Sequence, residues 1–515
     1  MTTPVISKSR RGQQAARAGF AQVLSAEWTK LATVRGWVIG LVLAPLLTVG
    51  IALLNHSTCG GVVTPGGPVT TGVGCAAPPT GPGGEAVTDS FYFVRKPMAG
   101  HGSITVRLTS LSAGPGPAGL SPWAKAGIII TASAKPGAAY AAMMVTAGRG
   151  VRMQYNYTSD IAGPAGKVSA ASPRWLRLTR AGDQISGYSS VNGVHWREVG
   201  TAYLAGLPAT VAAGMFATAP GSSEATSQSV SGSSSAGAMT LAVARFDHVS
   251  LAGPLPASAW TGSAVGGASP GTGFRQAHGT TTVTGSGDIA PYVPGADGAP
   301  GSTIGSTLLG AVVALIAVIV VATMFMTAEY RRGLIRVTFA AAPSRVRVLA
   351  AKAAVIAAVT FVAGLAGAIV AALAGERLLR ANGNFILPAS LLGNLRVVAG
   401  TAALLAVSAV LALALGAIFR RSAGAVTVVI GLITLPYLLA LTVVRGGAAD
   451  WLLRVTPAAA FAIQQTTPQY PQVSAAYTVG NGYFPLAPWA GFAVLCAYAL
   501  VAMGLAVVLV RRRDA

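Results

Sequence analysis

A basic segment between two long apolar runs is the first part of this sequence that could bind a partner. It extends from Met324 to Lys352 and contains one acidic residue, Glu329, against six basic ones: Arg331, Arg332, Arg336, Arg345, Arg347 and Lys352. Its middle predicts a short amphipathic helix with an apolar side at 334–339, and Pro343 ends that pattern. A basic turn between two membrane-spanning helices faces the cytoplasm. A partner that pushes on the membrane part from inside would therefore contact this turn.

A second candidate binding surface lies in the middle of the chain. In the segment GVRMQYNYTS at 150–159, apolar and polar residues alternate, so a strand would place the polar ones on one face. Nearby aromatic residues could stack on a sugar ring. The predicted ligand face combines both sets: Arg152, Gln154, Asn156, Trp123 and Trp196. A solvated outer face and a core filled by tryptophans are the alternatives.

The sequence contains no pattern typical of catalysis or metal binding. The histidines have no acidic or nucleophilic partner at readable spacing, and no CxxC is present. The segment GPAGKVS at 163–169 has the wrong spacing for a phosphate-binding loop and lacks Ser or Thr after its lysine. We therefore predict that this chain is not an enzyme and that it binds no metal or cofactor itself.

The composition indicates an integral membrane protein with a soluble part. Of 515 residues, 52% are hydrophobic and only 10% are charged, with a mean hydropathy of +0.60. The net charge of +22 could suggest nucleic acid. However, short segments assigned to the cytoplasm hold 17 of the 36 Lys and Arg and only 3 of the 14 acids. This distribution is the one that orients membrane proteins, and we expect no nucleic-acid partner.

Six apolar runs predict transmembrane helices, at 36–54, 304–328, 348–375, 397–419, 422–444 and 486–510. An even number places both termini on one side, and the basic clusters at 8–17, 420–421 and 511–513 assign that side to the cytoplasm. Residues 55–303 are then extracellular, where Cys59 and Cys75 could form a disulfide. The uncharged cores of the six runs argue against ion-coupled transport and favour a passage for bulky amphipathic or hydrophobic cargo.

The remaining segments complete the predicted domain order. Residues 1–18 form a flexible basic terminus, and 19–35 an amphipathic helix in the membrane interface. After the Gly/Pro-rich linker 55–90, short alternating segments at 91–251 predict an antiparallel β-sandwich. A linker with one possible late strand occupies 252–303. A cytoplasmic turn follows at 329–347, an outer re-entrant segment at 445–485 and a cytoplasmic tail at 511–515.

Three segments resemble bacterial ATP-binding-cassette (ABC) exporter permeases of the type-2 class: SAEWTKLATVRGW at 25–37, MTAEYRRGLIRVTFAAAPSRVRVLAAK at 326–352, and FRRSAGAV at 419–426 with Pro436 ten residues later. The resemblance implies a six-span protomer that forms a homodimer or a dimer with a related chain. It also implies an interfacial elbow helix, a coupling helix after the second span and a separate ABC ATPase subunit that carries ATP and Mg²⁺. The implied ATPase contact is Glu329, Tyr330, Arg331, Arg332, Gly333 and Arg336.

The insert between the first two spans resembles a different group of proteins. SPWAKAGIII at 121–130, PRWLRLTRAGDQISGYSSVNGVHW at 173–196 and VAAGMFATAP at 211–220 are similar to concanavalin-A-like, laminin-G or lectin-type sandwiches. That resemblance implies binding of a glycan or a peptide. The sequence thus predicts an exporter permease with a lectin-like domain over its outer mouth. A membrane-anchored lectin-type sensor or adhesin without transport activity is the alternative.

Overall fold

The computed structural model describes residues 19–54, 77–115, 119–229, 232–238, 240–254, 258–294, 296, 301–331, 333, 344–444, 447–473, 475 and 477–512. They form a β-sandwich between residues 77 and 294 and a bundle of α-helices on either side of it in the sequence. Because the first two helices precede the sandwich and the others follow it, the chain leaves the bundle and returns to it.

The helices of the described part, in chain order, are α1 (Phe20–Thr33), α2 (Arg35–Leu54), α3 (Ala311–Arg331), α4 (Arg345–Ala381), α5 (Leu391–Phe419), α6 (Ser422–Thr442), α7 (Gly447–Val455) and α8 (Pro488–Arg512). Six of them, all but α1 and α7, are long and apolar enough to cross a membrane. Shorter 3-10 turns occupy Ile304–Leu308, Pro457–Gln464 and Val479–Asn481. This region is therefore consistent with a multi-pass membrane protein.

The centre of the bundle is formed by α3 and α5, whose apolar side chains are mostly buried. By contrast, α2 and α8 turn many large apolar residues outward, among them Ile39, Leu46 and Leu500. Val34 adopts an extended conformation between α1 and α2, so the chain changes direction there. An apolar outer surface of this kind suits contact with lipid or with another apolar helix.

The strands are β1 (Val87–Asp89), β2 (Phe91–Ala99), β3 (Gly102–Ala113), β4 (Lys125–Thr131), β5 (Tyr140–Thr146), β6 (Gly150–Tyr155), β7 (Ser159–Ala162), β8 (Arg174–Ala181), β9 (Gln184–Ser190), β10 (Arg197–Tyr203), β11 (Thr210–Thr218), β12 (Ser222–Ser229), β13 (Gly232–Ala238), β14 (Ala242–Ala252), β15 (Thr261–Val265), β16 (Gly273–Ala277), β17 (Thr280–Gly285) and β18 (Ile289–Pro291). Two seven-stranded antiparallel sheets result, with orders β10-β9-β8-β3-β14-β17-β16 and β15-β2-β11-β4-β5-β6-β7. We call them the outer sheet and the inner sheet, respectively.

The inward side chains of both sheets form one apolar core, because alternate residues of each strand point to the same face. Ile104, Val106 and Leu108 of β3 illustrate this alternation, since all three are fully buried. The second face of the inner sheet is also covered. The paired strands β1 and β18 lie over it, together with the buried rings of Phe93 and Tyr140.

The covered side of the inner sheet is also the side that contacts the helical region. Ala290 and Val293, at and just after β18, pack against Val473 and Tyr483 of the segment before α8. The side-chain amide of Gln472 donates hydrogen bonds to the carbonyl oxygens of residues 157 and 158 at 3.5 and 3.3 Å. The outer sheet faces the opposite direction.

The structure differs from the sequence prediction in three places. Four strands, β15 to β18, occupy the part of the chain predicted to be a linker with one possible late strand, and β17 lies in the segment at 280–291 that predicts this strand. Residues 156 and 157 have positive φ and form a turn between β6 and β7, so Asn156 does not continue the polar face of β6. Finally, α4 extends beyond both ends of its predicted span and α5 begins six residues before its own, so Arg396 lies within a long helix.

Candidate functional site

The end of the bundle where α1, the last turn of α3 and the first turns of α4 meet contains a network of four charged residues. We call this end the basic end, because Arg331, Arg345 and Arg420 lie there. The network consists of Glu27, Lys30, Glu329 and Lys352. Its members come from three helices that are separated by as many as 325 positions in the sequence.

Lysine and glutamate side chains alternate around the network. The Nζ atom of Lys352 lies 2.5 Å from Oε2 of Glu27 and 2.8 Å from Oε1 of Glu329. The Nζ atom of Lys30 lies 2.7 Å from Oε1 of Glu27 and 2.9 Å from the same Oε1 of Glu329. Each lysine therefore bridges both glutamates, and the two positive charges balance the two negative ones.

Three members of the network are almost completely inaccessible. Glu27, Lys352 and Glu329 are 1%, 0% and 4% exposed. Lys352 also lies over the ring of Phe325, with Nζ 4.4 Å from its centroid, and that ring meets Trp37 of α2 edge to face. Removing charges from water costs several kcal/mol per ion, so such a group is stable only while its partners are all present.

The local sequence explains how α1 delivers two of these charges. Val23, Glu27 and Leu31 recur at intervals of four, so they occupy one helical face, and all three are buried. Val23 packs against Val348 and Ala351, which lie in the turn of α4 that leads to Lys352. Phe20 and Trp28 lie on other sides of α1 and are exposed.

Lys30 is the member of the network that water can reach, since its side chain is 38% exposed. Burial by itself lowers the pKa of Lys30, but hydrogen bonds and charges from Glu27 and Glu329 outweigh that effect, and the net direction is above its ordinary value. Lys30 is therefore positively charged at neutral pH, as the alternating arrangement requires.

The structure separates the residues of the predicted ATPase contact into two groups. Glu329 points into the network, and Tyr330 lies beneath the guanidinium of Arg420 at 5.1 Å, so both face the bundle. Arg331 and Gly333 are exposed at the basic end, and Gly333 has the positive φ of a turn. Two further members of the predicted contact lie outside the described residues: Arg332 and Arg336.

The predicted ligand face of the sandwich does not form one open surface. Arg152 pairs with Asp160 and lies over the ring of Trp123, while Gln154 also donates to Asp160, at 3.0 Å. Trp123 and Gln154 are 6% and 1% exposed, so they belong to the interior.

The other two members of that face lie elsewhere. Asn156 sits in the turn after β6, where its side-chain oxygen accepts the N–H of Tyr140. Trp196 precedes β10 of the outer sheet, where the guanidinium of Arg177 stacks on it at 3.9 Å. Cys59 and Cys75 fall outside the described residues.

A second buried polar cluster lies between the inner sheet and β18. Lys125, which is fully buried, has its Nζ 2.7 Å from Oδ1 of Asp288 and 2.9 Å from the carbonyl oxygen of Ile289. Asp89 accepts a hydrogen bond from the hydroxyl of Tyr157 at 2.7 Å, and burial raises the pKa of Asp89 to about 6. Within the described residues, no group of three His, Cys, Asp or Glu side chains is placed to hold a metal ion.

Sequence reasoning did not identify Glu27, Lys30 or Lys352 as site residues. The available signal was the presence of a glutamate on the helical face that α1 otherwise fills with Val23 and Leu31. A buried charge on an apolar face requires a partner of opposite sign.

The comparisons with known proteins do not identify a family for this chain. No protein-family model matches it, and no curated protein matches it. Among solved structures, a functionally unknown protein from Saccharomyces cerevisiae is 14% identical over 32% of this chain and 76% of its own, with a TM-score of 0.19. A GH43 protein from Bacillus licheniformis is 17% identical over 23% and 24%, with a TM-score of 0.18.

A third solved structure, scytalido-glutamic peptidase with a transition state analog inhibitor, is 10% identical over 39% of this chain and 98% of its own, with a TM-score of 0.24. Scores of this size carry no argument about the fold, and identities this low carry none about activity. The case for a function therefore depends on the residues and contacts of this chain.

Proposed function

We propose that this chain is the membrane-spanning permease subunit of an ATP-driven exporter, and that a separate ATPase subunit binds it at the basic end. The proposed cargo is amphipathic or hydrophobic, since the helices provide an apolar environment. In this proposal the basic end faces the cytoplasm, as the distribution of arginine and lysine favours.

The observation that supports this function best is the buried network of Glu27, Lys30, Glu329 and Lys352. Glu329 is at the end of the helix that enters the basic turn, and Lys352 is in the helix that leaves it. Both are bridged to α1 by short ion pairs. A force applied to the turn would therefore reach α1, α3 and α4 together, because breaking any of these buried pairs leaves a costly unpaired charge.

The outward apolar residues of α2 and α8 support a second part of the proposal. Side chains such as Leu46 and Leu500, 61% and 73% exposed, are unsuited to water. In a membrane they would contact lipid tails or the helices of a second permease protomer. We propose a dimer, formed by two copies or by this chain and a related one, with the passage between the protomers.

The sandwich is proposed to be a concanavalin-like extracellular domain that stands over the outer mouth of this passage. Its two antiparallel sheets and its contacts with Gln472 and Val473 of the segment before α8 support that position. The outer sheet, which faces away from the helices, is then the surface available to a glycan or a peptide. Arg177 stacked on Trp196 gives this face a cation and an aromatic ring.

The ATPase partner can be tested by charge reversal at the turn. The tagged full-length chain is purified from its native membrane, and co-purifying ATPase is quantified by mass spectrometry and by ATP hydrolysis. We expect Arg331→Glu with Arg332→Glu to reduce the retained ATPase by about tenfold, equivalent to about 1.4 kcal/mol of binding. The matched control is Arg511→Glu with Arg512→Glu at the end of α8, which leaves the ATPase bound.

The alternative function, a membrane-anchored sensor or adhesin of the lectin type, gives a different result in the same experiment. It predicts that no ATPase co-purifies with the unmodified chain and that both double variants behave alike. Either of these outcomes would refute the exporter proposal.

A further inference from the structure

A recess of about 530 Å³ lies between α2 and α3 at the basic end, and the network does not use it. Its walls come from the first turns of α2 and the last turns of α3, including Gly36, Trp37, Leu43, Val320 and Met324. Leu43 and Met324 are 44% and 40% exposed, so the recess opens on the outer surface of the bundle. Its volume is within the range of about 300–1,000 Å³ that is usual for small-ligand sites.

The chemistry of the lining is apolar with a cation at one end. Arg331, the last residue of α3, is the single ionisable side chain among the lining residues. It is exposed, and the part of the chain that the structure describes provides no hydrogen bond or ion pair for it. A ligand that matches this lining has a flexible apolar part and an anionic head.

We propose that this recess binds one acyl chain of an anionic phospholipid, whose phosphate is held by Arg331. The proposal goes beyond the exporter function, since it requires a membrane but no ATPase. A flexible hydrocarbon chain can follow an irregular recess that a rigid group would leave partly empty. The guanidinium supplies the planar donors that bind phosphate oxygens.

A second protein chain fits the recess less well than a lipid. Helices associate in membranes through close backbone contact at small residues. Here Gly40 is already used in this way within the chain, because a Cβ atom added to it would lie 2.4 Å from Cγ2 of Val321. Against the rest of the recess, a straight helix would leave space unfilled and would provide no phosphate for Arg331.

The recess adjoins the charge network through two aromatic rings. Trp37 lines the recess and contacts Phe325 at a centroid distance of 5.2 Å, and Phe325 lies under Nζ of Lys352. A bound acyl chain would therefore contact a ring that packs against the ring supporting Lys352. Lipid in this site would hold α2 against α3 close to the elbow formed by α1.

The test uses the full-length protein in phosphatidylcholine nanodiscs that contain a small fraction of a photoactivatable lipid. The probe carries a diazirine on its acyl chain and has either a phosphatidylglycerol or a phosphatidylcholine head. Labelled peptides are identified by mass spectrometry. We expect the phosphatidylglycerol probe to label 36–43 and 320–328 severalfold more strongly than the phosphatidylcholine probe.

Two matched pairs of variants make the test specific. A Cβ atom at Gly36 would meet nothing within 4 Å, so Gly36→Phe can fill the recess, whereas Gly50→Phe introduces the same ring at an equally open position further along α2. We expect labelling to fall severalfold in the first variant and to persist in the second. Arg331→Gln should abolish the preference for phosphatidylglycerol, and Arg347→Gln, at an exposed arginine of α4, should retain it.

Three results would overturn the proposal. The first is an absence of label in the recess, and the second is equal labelling of the Gly36→Phe and Gly50→Phe proteins. The third is efficient cross-linking of a Met324→Cys protein to a second copy, which would show that another protomer fills the recess. Equal labelling by the two probes in the unmodified protein would contradict the role given to Arg331.

Discussion

Lys352 in the helix bundle and Lys125 in the sandwich are both fully buried, yet their surroundings differ. Lys125 pairs with one carboxylate, that of Asp288, and it also donates to the carbonyl oxygen of Ile289 and, at 3.4 Å, to the side-chain oxygen of Gln154. These contacts attach one short strand, β18, to the inner sheet. Lys352 has two carboxylate partners on two other helices, and these share a second lysine that remains partly open to water. The ion pair of Lys125 holds one strand against a sheet. The network around Lys352 instead connects three helices, two of which flank the basic turn.

This difference indicates which of the two clusters can transmit movement. In the helical network, Oε2 of Glu329 is buried without a hydrogen-bond partner among the described residues. It is therefore an unused hydrogen-bond acceptor that a lysine of the network could reach after a rearrangement. Lys30 can exchange its contacts with water because it is 38% exposed. A network with an unused acceptor and one accessible member can rearrange without losing all of its ion pairs. Lys125 and Asp288 instead form a single ion pair, and their side chains are 0% and 5% exposed.

The largest expected effect is that of Lys352→Met, because it leaves two buried carboxylates with one shared lysine. Breaking a buried ion pair on one side costs about 3–5 kcal/mol. We expect a loss of this size in the thermal unfolding of the helical region of the full-length protein in detergent.

A triple variant separates stability from coupling in this network. Lys352→Met combined with Glu27→Gln and Glu329→Gln removes the three buried charges and leaves only Lys30, whose side chain is 38% exposed and can be hydrated. This variant should therefore recover most of the lost stability. If the proposed exporter function is right and transmission depends on the ion pairs, stimulation of the proposed ATPase partner stays low in the triple variant. Full recovery of the stimulation would show that the network is structural, like the pair in the sandwich.

A smaller loss is expected for Lys125→Met, which leaves one carboxylate unpaired. We expect about 3 kcal/mol, confined to the sandwich and measured by the unfolding of its β-structure in the full-length chain. Adding Asp288→Asn should restore most of it, because the remaining amide can still bond within the cluster. A loss of ATPase stimulation in a stable Lys125→Met, Asp288→Asn protein would contradict the distinction between the two clusters.

The smallest expected effect is a dependence on pH that originates at Asp89. Since its pKa is about 6 in the folded protein and 3.8 when exposed, the folded state binds more protons between these values, and stability rises as the pH falls. From pH 7 to pH 5 the gain is about 1 kcal/mol. The groups that face Asp89 are Tyr157 and Tyr140, and neither ionises in this range.

The pH effect is measured as the difference between the unmodified protein and Asp89→Asn. We expect the variant to lack this rise, while Asp183→Asn, at a carboxylate in the loop after β8, keeps it. If the stability of Asp89→Asn and that of Asp183→Asn rise equally as the pH falls, a group other than Asp89 causes the pH dependence.

The sequence predicted the long apolar helices and the alternating strands, because both depend on patterns within a few neighbouring residues. It failed where the outcome depends on distant segments. The rotation of α1, which turns Glu27 inward, is decided by Lys352, 325 positions away. Strands β15 and β17 contain threonine and glycine and pair with β2 and β14, which are already part of the sheets, and β16 then pairs with β17 at the edge.

Of the four network residues, the predicted contact included Glu329 but none of its partners. The binding of a partner at the basic turn stays a prediction; Arg331, at the end of α3, is exposed. Glu329 was predicted to face a partner, but the structure turns it inward, since burial of a glutamate is favourable once two lysines converge on it. The predicted face of the sandwich failed because Asp160, from the next strand, pairs with both Arg152 and Gln154.

The central claim is that a partner acts on the basic end from the side of the membrane opposite to the sandwich. Its most direct test is cysteine labelling in intact cells with a membrane-impermeant maleimide, after replacement of the three native cysteines. A cysteine at Val194, 72% exposed in the sandwich, should be labelled in intact cells, and one at Arg347 only after permeabilisation. Labelling of both positions from the same side would contradict the account.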